Sequence, residues 1–100
     1  MQRGDLITGG SGVVAPRLLD RPHPEYPERA RRRRKEDRVV VRVLVDENGR
    51  VVQAIAPAED RFGFGEAARQ SALLARFEPA TRQGIAGKMW IEMPFEFKLR

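Results

Sequence analysis

The chain has 100 residues, 41% apolar and 33% charged, which supports one small globular domain and excludes a disordered polymer. Its net charge of +5 comes from sixteen Arg and three Lys, which points to anionic partners: nucleic acid, acidic lipid headgroups or an acidic protein surface. It has no Cys, no apolar run near the roughly 20 residues of a membrane span, and no signal-like stretch in residues 1–20.

These features fit either a cytosolic protein or a soluble piece of a longer exported chain. Catalytic raw material is scarce, with one His, two Ser, two Thr and one Tyr. Nothing favours a Ser-His-Asp arrangement around His23, and the chain reads as a non-enzyme. No cofactor or metal is expected, because His23 sits between Pro22 and Pro24 with no partner ligand nearby.

Residues 1–20 read as a flexible lead-in, with Gly4, Gly9, Gly10, Ser11 and Gly12 breaking any pattern, and the domain is expected over 21–100. The Gly-Gly-Ser-Gly stretch lacks the Lys-Ser/Thr ending of a phosphate loop, so it reads as linker. Val13 to Leu19 allows a short extended segment. Three prolines then force extended or turn geometry through Pro22, His23, Pro24, Glu25, Tyr26 and Pro27.

Pro27 suits a first helical position, Glu28 the positive end of the helix dipole, and Arg31 to Lys35 the negative end, so a short helix is expected over about 27–35. Val39 to Val45 is the most β-prone run, with Val at every odd position. Asp46-Glu47-Asn48-Gly49 reads as a hairpin turn, with Asn48 and Gly49 both tolerating positive φ. The returning strand runs from Arg50 to about Ala56 without a clean parity. Phe64, Ala67, Ala68, Ser71, Ala72 and Ala75 recur at helical spacing and predict a helix over about 65–76, ended by Pro79. Gly84 and Gly87 bracket a turn.

The closing stretch alternates almost without fault. Met89, Ile91, Met93, Phe95, Phe97 and Leu99 fall on one side, and Trp90, Glu92, Pro94, Glu96 and Lys98 on the other. Pro94 cannot donate to a ladder, so this strand is expected to lie at a sheet edge or carry a free flank. The hairpin and the crossover through the second helix are satisfied by strand order 2-1-3. The fold class is therefore α+β: a two-layer sandwich of a three-stranded antiparallel sheet with two helices on one face.

Together these residues resemble the C-terminal domain of the TonB energy-transducer family. The resemblance runs through Pro24-Glu25-Tyr26-Pro27-Glu28-Arg29-Ala30, Val39 to Val43 and Asp46-Glu47-Asn48-Gly49-Arg50-Val51. It continues in Ala67-Ala68, Phe77-Glu78-Pro79-Ala80, Gly84 and Phe95-Glu96-Phe97, covering about 22–99. It implies a periplasmic domain, anchored to the inner membrane in the full-length protein and powered there by a proton-driven complex. Its implied partners are outer-membrane receptors for siderophores and similar nutrients.

The resemblance also implies that a receptor segment, the TonB box, adds as a strand to the last strand, here Met89, Trp90, Ile91, Glu92, Met93, Phe95, Glu96 and Phe97. The implied receptor-contact loop is Pro22, His23, Pro24, Glu25, Tyr26 and Pro27. The sequence departs from the family at Lys35-Glu36-Asp37-Arg38, where a glycine is usual, and in its Arg run. It also lacks an anchor and a Pro-rich spacer, so residues 1–100 are expected to be an excised fragment, or a stand-alone or specialised relative.

The residues themselves leave other readings open. Glu92, Pro94, Glu96 and Lys98 also blunt an ordinary edge. Trp90 is either covered by the N-terminal segment or a binding anchor. The patch Arg29, Arg31, Arg32, Arg33, Arg34 and Lys35 is either a solvated helix face or a surface for nucleic acid or anionic lipid; few aromatics flank it, which disfavours nucleic acid. Two competing functions are thus a basic nucleic-acid module on the Arg29–Lys35 helix and a TonB-like domain serving another envelope machine. A C2 homodimer through the same edge is a further possibility.

Overall fold

Val39, Val41, Val43 and Val45 are β-branched and stiff at χ1, and a period of two places them on one side of an extended chain. In the computed structural model, which describes residues 1–100, this run lies in the middle strand of the main sheet. In chain order the elements are β1 (Val13–Val14), β2 (Arg17–Asp20), α1 (Glu28–Arg32), β3 (Asp37–Val45), β4 (Val51–Ile55), α2 (Phe64–Leu73), β5 (Arg76–Glu78), β6 (Ala80–Arg82), β7 (Ile85–Gly87) and β8 (Met89–Phe97). The main sheet is antiparallel in the order β4-β3-β8, and smaller sheets join β1-β6-β7 and β2-β5. β3 and β8 pair from Asp37 against Phe97 to Val45 against Met89 without a slip.

One face of this sheet is dry. The odd-numbered valines of β3 pack with Val51, Met93, Phe95 and Phe97 against Phe64, Ala68, Ala72 and Ala75, and Ala30 of α1 joins the same core. The alanines let α2 lie close to the sheet. Tyr26 fills the gap beside α1, its ring meeting Phe64 and Phe97 edge-on at centroid distances of 5.7 and 5.8 Å.

The helices are shorter than the spacing predicts, for local reasons. α2 starts at Phe64 behind Gly63, which offers no capping side chain. Asp60 supplies the cap instead, accepting from the Gly65 N–H at 3.0 Å and the Glu66 N–H at 3.1 Å. Its carboxylate also faces the positive end of the helix dipole. Asp60→Ala is therefore expected to lower stability by about 1–2 kcal/mol. A urea midpoint unchanged from the parent would refute that role.

α1 ends at Arg32, and Pro27 is its N-cap with extended ψ instead of its first helical residue. Arg34 then turns left-handed at φ 53°. The Arg34 N–H donates to the Arg31 carbonyl at 3.1 Å and the Lys35 N–H to the Ala30 carbonyl at 2.9 Å, a Schellman closure. Glycine usually fills this position, so Arg34→Gly is expected to raise stability by about 0.5–1 kcal/mol. A lower melting temperature in that variant would contradict this account.

Both tight turns also differ in detail from the expectation. At Asp46–Gly49 only Gly49 has positive φ, at 80°. The Asp46 N–H reaches the Arg50 carbonyl at 2.8 Å around a three-residue loop, and Asp46 Oδ1 accepts from the Asn48 and Arg50 N–H groups. A bulge follows, with Leu44 opposite Gln53 and Val45 opposite Val51. That slip is why neither parity of β4 reads cleanly in sequence. The two-residue turn with both residues at positive φ is Gln83-Gly84, which joins β6 to β7.

Residues 1–20, expected as a flexible lead-in, lie along the domain. Ile7 is buried, its N–H donates to the Lys88 carbonyl at 2.7 Å, and Gly4 donates to Ala86 at 2.9 Å. β1 pairs with β6 and β2 with β5.

Candidate functional site

β8 has one paired side and one free side, and the hairpin fixes which backbone groups are free. Asp46 bonds toward β4, so even-numbered residues of β3 face β4 and odd-numbered ones face β8. In register, odd-numbered β8 residues bond to β3. The N–H and C=O groups of Trp90, Glu92 and Glu96 therefore point outward. Pro94 falls on the same outward parity, where its missing N–H costs the ladder nothing.

Side chains divide the other way. Met93, Phe95 and Phe97 are buried in the core, Met89 and Ile91 are half-buried, and Glu92 and Glu96 are exposed. Of the predicted peptide-binding set, Met93, Phe95 and Phe97 can thus only hold the edge in place. Trp90 is half-buried, with the Arg42 guanidinium of β3 5.0 Å from its ring centroid.

Arg21 is the residue that the sequence reading missed. Its Nη1 donates to the Pro94 carbonyl at 3.1 Å and its guanidinium lies 4.8 Å from the Phe95 ring centroid. It thereby occupies the one outward acceptor beside the missing donor. An Arg ahead of a Pro-rich loop carries no pattern that announces such a contact.

Arg21 leads directly into the predicted loop. Ser71 Oγ donates to the Pro22 carbonyl and pins the loop to α2. Pro22 to Pro27 line one wall of a cleft of about 650 Å³, with Glu66 and Gln70 of α2 opposite. His23 and Glu25 are exposed, whereas Pro22, Pro24, Tyr26 and Pro27 are half-buried. A hydrogen bond from Arg69 holds Glu66 below the usual carboxylate range.

The Tyr26 hydroxyl donates to the Lys35 carbonyl. Burial, and then Glu36, push its pKa above the ordinary phenol value, with Arg31 acting in the other direction. A raised folded pKa means that this contribution to stability is complete below the unfolded phenol pKa and is lost as pH rises through the folded one.

The Arg run is not one uniform face. Arg29 donates to the Arg61 carbonyl at 2.6 Å, and Lys35 lies over the Phe62 ring. Arg33 caps α1. Arg31, Arg32 and Arg34 line a separate cleft beside Lys98. The predicted strand, loop and basic run therefore meet around the C-terminal end of β8.

The family model of the Gram-negative bacterial TonB protein C-terminal matches residues 22–99. Among solved structures, the solution NMR structure of the Pseudomonas aeruginosa TonB CTD is similar at 25% identity and a TM-score of 0.60, over 91% of this chain and 90% of that one. The comparison with curated proteins gave no match. The matched span runs from the first proline of the loop to the end of the closing strand, and the chain belongs to the Gram-negative bacterial TonB protein C-terminal family.

Proposed function

We propose that this domain is a non-enzymatic periplasmic adaptor that takes an extended segment of an outer-membrane receptor as a fourth strand on β8. In this role it passes force generated at the inner membrane to receptors that import siderophores and similar nutrients. The observation that carries the reading is the outward row of unpaired groups at Trp90 and Glu92 in a member of the TonB C-terminal family.

Pro94 sets the register of such a ligand. With no N–H there, and with its carbonyl taken by Arg21, the ligand pairs upstream with Trp90 and Glu92. About four backbone hydrogen bonds at roughly 0.5–1.5 kcal/mol each must offset the ordering of a flexible peptide, which gives micromolar affinity. Weak binding suits a contact that must release in each cycle. The Pro22–Pro27 loop, through its exposed His23 and Glu25, supplies a second contact with the receptor.

Titration with a receptor N-terminal peptide tests the reading by amide NMR. The expected shifts concentrate at Trp90, Glu92 and their neighbours. Shifts confined to the Arg31–Arg34 region would overturn it.

A further inference from the structure

A second site lies beyond the end of this edge. Arg31, Arg32 and Arg34 face Lys98 and Arg100 across a cleft of about 470 Å³, with Tyr26 as its apolar wall. No Asp or Glu side chain lines it. Glu36 is spent on the Leu99 N–H at 2.7 Å, and Glu96 approaches Lys98 Nζ at 3.5 Å. Arg31, Arg32 and Arg34 are in no ion pair. Like charges gathered in this way repel one another unless an anion offsets them.

Arg34 is a second, independent sign. It holds a left-handed position that glycine fills more cheaply, and from there its side chain lines the cleft. We propose that this cleft binds a phosphate-bearing anion, either free in solution or in a lipid headgroup. Guanidinium forks match phosphate oxygens in pairs, and several cations around one concavity suit a compact, multiply charged group. A nucleic-acid duplex needs instead a long basic track along its backbone. The proposal does not depend on strand docking.

The test uses the 100-residue chain with pyrophosphate at low salt. NMR shifts are expected at Arg31, Arg32, Arg34 and Lys98, with Trp90 and Glu92 unmoved. Arg34→Gly keeps the closure of α1 and is expected to weaken binding about fivefold, the loss of one charge-assisted contact at a wet site. Glu92→Pro is expected to leave it unchanged, which separates this site from the edge.

Vesicles of phosphatidylcholine with phosphatidic acid distinguish the sources. Retention that Arg34→Gly reduces assigns a headgroup, whereas pyrophosphate binding without retention assigns a free anion. Equal pyrophosphate affinity in Arg34→Gly and parent would overturn the proposal. Tighter binding of a DNA duplex or an acidic peptide at the same residues would overturn it as well.

Discussion

Replacing Gly49 with alanine is expected to lower stability by about 3 kcal/mol or more, the largest effect of any single methyl group in this domain. Gly49 is buried at φ 80°, and a β-carbon there would overlap the Phe77 carbonyl oxygen and lie 3.0 Å from the carbonyl carbon. Both neighbours are backbone, so neither can swing aside. The Gly49 carbonyl also accepts from the Phe77 N–H at 2.9 Å, and Arg50 bridges to Arg76. Relief of the overlap must therefore pull the hairpin tip away from β5 and break that bond.

Gly84→Ala is the control. Its φ is 82° but nothing lies within 4 Å of a β-carbon, so only the left-handed strain of about 1 kcal/mol is expected. Urea denaturation of the two variants separates strain from overlap. Equal losses would show that the close approach at Phe77 contributes nothing.

The largest functional effect is expected from Glu92→Pro. The outward parity means that this change removes a donor available only to a ligand and leaves every bond to β3 intact. Stability should shift by less than about 1 kcal/mol while peptide affinity falls about tenfold, through the lost hydrogen bond and the ring's intrusion on the added strand. Ile91→Pro removes a ladder bond and should cost about 3 kcal/mol. Unchanged peptide affinity in folded Glu92→Pro would place docking elsewhere.

The parts of the fold legible in the sequence are those with enough residues to show a period. Val39–Val45 and Met89–Leu99 alternate because one face of each meets α2, and the small face of α2 is written in Ala68, Ser71 and Ala72. β1, β2, β5, β6 and β7 have two to four residues each, too few for alternation to separate from chance. β1 and β2 also find their partners more than fifty residues away, as in Val13 with Arg82 and Leu18 with Phe77, whereas β7 pairs with its neighbour β6.

At the site, the alternation of β8 and the Pro22–Pro27 loop were visible as residue types. The Arg21 contact was not, because a backbone carbonyl leaves no trace in the amino-acid code. The left-handed turn at Arg34 was hidden inside a run of identical residues that read as continuous helix. Asn48-Gly49 promised a two-residue turn, yet the bulge in β4 and the tight fit to Phe77 favour a longer loop with a single left-handed residue.

The unbroken register of β3 with β8 also sets an order of events during synthesis. Asp37 waits for Phe97, and even the nearest pair, Val45 with Met89, is more than forty residues apart in the chain. Until then β3 has only the β4 hairpin, and an isolated hairpin is marginal in water. The core therefore closes only once Met89–Phe97 has been made. A nascent chain that has not yet released β8 holds β3 with one free edge, and closure of the core waits for that last strand.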